Sequence, residues 1–308
     1  MIRIMFMGTP DFAVPTLEAL IEKHDVVCVV SQPDRPKGRG HKTQPTATKE
    51  TALRRGIPVE QPLTLKDDAF KGTLEKYHPD MIVVAAFGRI LPEYVLRYPK
   101  YGCINVHGSV LPKYRGAAPI QWAVLNGETE TGVTIMHMAR ELDAGDIISI
   151  KKTNILPAET SGELFDRLSR LGAEALMEVI DSIRDGSAPR VPQNDAEATY
   201  APMIDKKMAL LDFSMPADRF ERFVRGLDPW PVASVGFRGE PVKIRKAAPG
   251  PTVKAKAGTV CDVTKDGITV ACSDGGSVCI KQIQKPGKKA IDAYAFAQGE
   301  HIKIGDVF

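Results

Sequence analysis

Cysteine is scarce in this chain. The five present, Cys28, Cys103, Cys261, Cys272 and Cys279, are an odd number, and no two have the two-residue spacing that chelates zinc or exchanges disulfides. Reduced, mostly buried thiols are expected. Long apolar runs are missing too: 81–87 and 26–30 are the longest candidates, far short of the roughly 20 residues that cross a bilayer. Neither a basic segment nor a small-residue cleavage site precedes the first apolar strand, so no secretory leader is expected and a cytoplasmic setting is. Gly8 follows that strand without completing a G-x-G-x-x-G fingerprint, and no Walker loop occurs anywhere, which argues against dinucleotides and nucleoside triphosphates. H-E-x-x-H, G-x-S-x-G and paired metal-ligand spacings are absent as well, so no metal is expected.

What is present reads as a globular protein. A 43% hydrophobic and 26% charged composition argues against disorder, collagen-like repeats and coiled coil. At about 150 residues per domain, 308 residues give two domains. Charge divides unevenly between them. Residues 1–207 carry 26 Lys and Arg against 27 Asp and Glu, whereas 208–308 carry 15 against 11, with 11 against 4 inside 236–289. A basic terminal module suggests a polyanion such as nucleic acid, and a solvated lysine face fits the count as well.

Strand and helix signals alternate through the first two hundred residues, which predicts an α/β domain with a parallel sheet covered on both faces. Strands are expected at 3–7, 25–30, 81–87, 102–106, 132–138 and 146–150, with helices at 10–23, 46–55, 65–78, 117–126 and 161–184. Asp185-Gly186 stops the last helix. From Ser187 to Pro202 the chain is polar, proline-rich and aperiodic, as a surface linker would be. The expected division is a catalytic domain at 1–188, a linker at 189–207 and a terminal domain at 208–308. The last holds one helix near 217–227 and about five short strands, the pattern of a small OB-like β-barrel.

The densest cluster of chemically capable residues is Asn105-Val106-His107-Gly108-Ser109-Val110-Leu111-Pro112-Lys113-Tyr114-Arg115-Gly116. It begins where a parallel strand ends, and ligands in open α/β sheets bind beyond strand carboxyl ends. Residues two apart on a strand face one way, so Asn105 and His107 would share a pocket. An amide beside an imidazole suits a carbonyl oxygen on which negative charge develops. The Leu142-Asp143-Ala144-Gly145-Asp146 turn could bring Asp143 to that pocket as a base or as an orienter of the imidazole. On spacing alone, a turn residue fits Asp143 equally well.

The run from Asn105 to Gly116, continued by Ala117-Ala118-Pro119-Ile120-Gln121-Trp122, resembles the formyltetrahydrofolate-dependent formyltransferases. Their signature is an Asn, a His two positions on, a Ser-Leu-Leu-Pro loop and a later Asp. Here the loop is Ser109-Val110-Leu111-Pro112, a small apolar change from the pattern. The resemblance implies a Rossmann-like sheet that binds folate, with Asn105, His107 and Asp143 as the catalytic trio. It also implies 10-formyltetrahydrofolate as co-substrate, held by Arg89, Ile90 and Leu91 and by Ser109, Val110, Leu111 and Pro112. The loop from Ser31 to Lys42, with Arg35, Lys37, Arg39 and Lys42 against one Asp, looks like the insertion with which one branch of the family grips initiator tRNA. A loop of this kind can approach a phosphate backbone closely. Ala198 to Pro202 and Asp228-Pro229-Trp230-Pro231 match the same branch, so the resemblance covers essentially the whole chain. It implies formyl transfer to the α-amino group of methionyl initiator tRNA; the short apolar runs predict no membrane partner, and with nothing in the sequence suggesting an obligate partner a monomer is expected. Other branches, acting on glycinamide ribonucleotide, on nucleotide sugars or in folate hydrolysis, are the alternatives, together with a non-catalytic RNA-binding role for the terminal module.

Overall fold

Strands of continuous apolar sequence must be covered on both faces. In the computed structural model of the chain, which describes residues 1–37, 42–66 and 68–308, helices cover a seven-stranded sheet and a separate antiparallel sheet follows it. Two units result. One comprises Met1–Pro119, Glu130–Asn154 and Phe165–Pro202; the other comprises Ile120–Thr129, Ile155–Leu164 and Met203–Phe308.

The strands of the first unit are β1 (Arg3–Gly8), β2 (Asp25–Val30), β3 (Arg35–Lys37), β4 (Lys42–Gln44), β5 (Val59–Glu60), β6 (Met81–Ala85), β7 (Cys103–His107), β8 (Arg115–Gly116), β9 (Glu130–His137), β10 (Ile147–Asn154) and β11 (Tyr200–Ala201). The main sheet has the order β10-β9-β7-β6-β1-β2-β5. Five of its strands, β7 through β5 in that order, are parallel. The expectation of a wholly parallel sheet is corrected at its edge, where β9 runs antiparallel to β7 and β10 to β9. For β9 and β10 the physical reason is the connection, since 138–146 is shorter than the dozen or so residues that a parallel crossover needs. In β10 only Ile148 is buried, and from Ser149 to Asn154 half-buried positions alternate with exposed ones, as on an edge strand with one wet face.

Along the chain the helices are α1 (Val14–Lys23), α2 (Ala47–Arg54), α3 (Lys71–Tyr77), α4 (Glu93–Leu96), α5 (Pro119–Leu125) and α6 (Ser161–Asp185). Thr46 caps α2 by accepting the Lys49 N–H, which satisfies a donor that the first turn leaves unpaired. The helix expected over 65–78 is reduced to α3. Tyr94 accounts for part of this: its hydroxyl donates to the Leu65 carbonyl at 2.7 Å and accepts the Phe70 N–H at 3.1 Å. That backbone is therefore paired without helix, while Leu65 and Phe70 enter the core beside Met5, Cys28 and Val84. On the other side of the sheet, a Cβ at Gly172 would meet Val106 Cγ1 at 2.6 Å. Glycine there lets α6 lie close to β7.

The second unit contains α7 (Ala217–Gly226), β12 (Ser234–Phe237), β13 (Glu240–Pro249), β14 (Val260–Thr264), β15 (Gly267–Ala271), β16 (Ser277–Gln284), β17 (Ile291–Asp292) and α8 (Ala293–Glu300). Its six strands are antiparallel in the order β12-β13-β16-β15-β14, with β17 on β16. Phe213 stacks on Phe220 of α7 at 4.8 Å, and Phe237, Phe296 and Phe308 continue the cluster. The Asp228–Pro231 motif holds the start of α6, because the Asp228 carbonyl accepts both the Ser161 hydroxyl and the Gly162 N–H. No described helix is long and apolar enough to cross a membrane. All five cysteines are free thiols, three of them buried.

Candidate active site

β7 ends in two polar side chains within an otherwise apolar strand. Asn105 and His107 project to one face, since they are two apart, and only 8% and 6% of their surfaces are exposed. Val106, between them, points the other way toward α6. Among the described residues, none hydrogen-bonds the Asn105 amide. Its donors are therefore free for a ligand.

His107 is tied at one nitrogen only. Nε2 lies 3.0 Å from the Tyr114 carbonyl oxygen, and a carbonyl only accepts, so Nε2 carries a hydrogen. The nitrogen left to gain or lose a proton is Nδ1, which faces Asp143 Oδ2 at 3.7 Å. That gap exceeds a hydrogen bond. Asp143 Oδ2 in turn accepts the Gly116 N–H at 2.8 Å. Tyr114 and Asp143 both have left-handed backbone, with φ of 62° and 49°, a conformation that costs side-chain-bearing residues energy and persists only where the surroundings impose it.

The loop after His107 is pinned to the sheet. Ser109 Oγ donates to the Lys113 carbonyl at 2.7 Å; Thr134 on β9 donates to the Ser109 carbonyl at 2.7 Å and accepts the Leu111 N–H at 3.1 Å. Leu111 is buried, while Val110 and Pro112 are partly open. Arg89, Ile90 and Leu91 behave differently from one another. The Arg89 guanidinium donates to the carbonyls of Pro62 and Leu63, Leu91 lies in the core, and Ile90 is exposed. The Leu91 side chain is thus taken up by the core, Ile90 is open, and half-buried Arg89 spends only Nη1 on those carbonyls.

The basic loop grows from a two-stranded ribbon in which β3 pairs antiparallel with β4. Its base is held by Asp34, which accepts from Lys49 at 2.6 Å and Gln61 at 2.7 Å. Those two bonds hold the Asp34 carboxyl below its usual range, Lys49 contributing most. Arg35 is exposed and donates to Gln32. Arg39, and the side chains of Lys37 and Lys42, lie outside the described residues.

Several residues that complete the site carried no distinguishing signal in the sequence. Thr134 is one of two buried threonines on β9, with Thr131. Gln193 and Thr199 lie in the aperiodic stretch read as a surface linker, yet residues 189–202 belong to the first unit and β11 pairs with β8. A separate cavity of about 530 Å³ opens near Cys103 and His137, lined by Arg97, Arg184 and Arg190. Each of these arginines already pairs with a carboxylate, of Glu93, Asp181 and Asp146 respectively, which leaves little net charge there for a ligand. Among the described residues no group of three or more His, Cys, Asp or Glu could hold a metal ion.

Known proteins resemble the chain along nearly its whole length. Residues 2–180 match the family model described as formyl transferase, and 203–301 match that of the formyl transferase C-terminal domain. A methionyl-tRNA formyltransferase of Bacillus licheniformis is 46% identical over 99% of this chain and 97% of its own. Another, of Moorella thermoacetica, is 46% identical over 99% and 98%. Among solved structures, an N-formyltransferase of Helicobacter canadensis superposes with a TM-score of 0.68 at 20% identity, covering 91% of this chain and 99% of that one. HypX of Aquifex aeolicus, crystallised with tetrahydrofolic acid, gives 0.64 at 21% identity over 98% of this chain, which spans 48% of HypX. With both family models matched in order along nearly its whole length, the chain belongs to the formyl transferase family.

Proposed function

We propose that this chain transfers the formyl group of 10-formyltetrahydrofolate to the α-amino group of methionine on initiator tRNA, releasing tetrahydrofolate. The observation that carries the reading is its correspondence, across both domains, with methionyl-tRNA formyltransferases at 46% identity. The geometry at the end of β7 suits the reaction. The donor supplies an electrophilic formyl carbon on a nitrogen that can leave.

Asn105 donates its amide N–H where charge gathers on the formyl oxygen as the amine bonds to carbon, and protonated His107 adds a donor through Nδ1. Asp143, fixed by the Gly116 N–H, stabilises that imidazolium and takes the proton lost by the amine, directly or through water. When the carbon–nitrogen bond to the folate breaks, the carbonyl reforms, the bonding pair returns to the folate nitrogen, and that nitrogen takes the proton that Asp143 removed from the amine, directly or through water. Ser109 to Pro112 and the exposed Ile90 supply the folate contact. With its side chain in the core, Leu91 contributes there through backbone, and Arg89 through the guanidinium donors that Pro62 and Leu63 leave free.

In this reading 1–188 is the catalytic domain, 189–207 connects, and 208–308 contacts RNA through its Lys- and Arg-rich strands. Arg35, Lys37, Arg39 and Lys42 face the phosphates of the acceptor end. The enzyme acts in the cytoplasm as a monomer without a membrane partner, and a sedimentation mass near 33.6 kDa checks the oligomeric part.

The deciding assay follows labelled formyl from 10-formyltetrahydrofolate to methionyl initiator tRNA, with uncharged tRNA and free methionine as controls. Product only with the charged tRNA is expected. Formate release alone, or formylation of a nucleotide-sugar amine, would instead assign the chain to another branch of the family.

A further inference from the structure

The stretch that leads out of α6 toward residue 203 touches the site at several points. Gln193 uses its amide fully: Nε2 donates to the carbonyls of Asp143 and Gly145, both at 2.8 Å, while Oε1 accepts Arg115 Nε at 3.1 Å and Nη2 at 2.8 Å. Arg115 is a buried cation, 3% exposed, and Asp195 of the same stretch neutralises it at 2.7 Å. The residue after Arg115 is Gly116, whose N–H holds the Asp143 carboxylate. One side chain thus fixes Asp143 through its backbone and, through Arg115, the segment that presents its N–H donor.

Thr199 does the same for the imidazole. Its hydroxyl accepts the Tyr114 N–H at 2.9 Å and its carbonyl accepts the Arg115 N–H at 2.8 Å. Tyr114 offers its own carbonyl to His107 Nε2. The left-handed backbone at Tyr114 and Asp143 needs such external support.

We propose that Gln193 and Thr199 are positioning residues for the His107–Asp143 pair, so that the stretch joining the two domains sets the geometry in which the proton is handled. The proposal rests on the reading of His107 and Asp143 as catalytic. At 3.7 Å, a displacement of about half an ångström decides whether Nδ1 and the carboxylate reach hydrogen-bond distance.

The test compares Gln193→Ala, the isosteric Gln193→Glu, Thr199→Val and Thr199→Ser in the intact enzyme, by steady-state kinetics and pH–rate profiles. Gln193→Glu keeps the acceptor for Arg115 and loses both donors to the 143–145 turn. Both Gln193 variants are expected to lose about 10- to 100-fold in kcat, as a misplacement of up to an ångström does, with both KM values held within about threefold. The shape of the pH–kcat profile changes with them. Thr199→Val falls by about 10-fold and Thr199→Ser restores wild-type turnover. In an Asp143→Ala background, Gln193→Ala adds less than about a twofold loss, because it acts through the residue already removed. Equal proportional losses in both backgrounds, or wild-type turnover and pH profile in Gln193→Glu, would overturn the proposal. A fully active Asp143→Ala enzyme would overturn the catalytic reading itself. A slow Asp143→Ala enzyme beside an intact Gln193→Glu enzyme would overturn the positioning role alone.

Discussion

Residues 108–116 follow β7, residues 31–37 follow β2 of the same sheet and pair with 42–44, and the two segments are built in opposite ways. The first is fixed from outside: β9 through Thr134, the 143–145 turn, and the stretch 193–201 all bond to it. The second pairs with itself as the β3–β4 ribbon and is anchored at its base by Asp34, Lys49 and Gln61. Charge that develops on a reacting carbonyl needs dipoles fixed in place before the reaction. A phosphate backbone needs only net positive charge that can approach it. The difference teaches where substitutions should act on rate and where on salt-dependent affinity.

The sharpest break in that comparison is expected at β7. Asn105→Ala or His107→Ala should lower kcat by about 10²- to 10³-fold, the usual loss for one donor at a developing oxyanion, while tRNA affinity measured by filter binding stays at the wild-type value. Turnover near wild type in either variant would remove that residue from the mechanism. A smaller loss should follow from disturbing the strand from behind. Gly172→Leu forces a side chain into Val106, and such overpacking costs about 1–3 kcal/mol. Chemical denaturation should record that decrease, together with a lower kcat as β7 moves.

The basic loop should respond in another currency. Arg39→Ala or Lys42→Ala should each weaken charged-tRNA binding uniformly and reduce the slope of log K against log salt by about one, with folate binding retained. A salt slope equal to wild type, or altered folate binding, would show that these cations do not face phosphate.

Part of this contrast was legible in the sequence. Asn105 and His107 stand out because polar residues interrupt an apolar strand at a spacing that shares a face, and the loop's lysines and arginines stand out by composition. Strand and helix periodicity placed β1, β2, β6, β7 and α6 to within a few residues, since fully buried strands and a long amphipathic helix leave strong patterns. What could not be read is pairing between distant segments. Nothing local distinguishes Gln193 or Thr199 from a linker residue; their roles exist only because β11 returns to β8. The antiparallel edge at β9 and β10 depends on which way the chain crosses the sheet, and short, alanine-rich α8 has too little amphipathic pattern to mark a helix. Leu91 entered the predicted folate segment by motif, whereas burial sends its side chain into the core.

The smallest expected effect sharpens the comparison at the ribbon's base. Asp34 is ionised more readily in the folded chain because Lys49, and after it Gln61, donate to its carboxylate. A depressed carboxylate pKa contributes stability that is present above its unfolded value of 3.8 and is lost as pH falls through the lower folded value. Removing the cation by Lys49→Met should therefore lower unfolding stability at pH 6 by about 1 kcal/mol or less, as a largely solvent-screened pair allows, and the difference from wild type should shrink toward zero below pH 3.8. Turnover with saturating substrates should stay at the wild-type level, because no bond of this network reaches His107 or Asp143. A stability gap that persists unchanged at low pH would mean that Lys49 holds the ribbon by packing rather than by charge. A fall in kcat would instead join the ribbon to the chemistry and erase the distinction between the two loops.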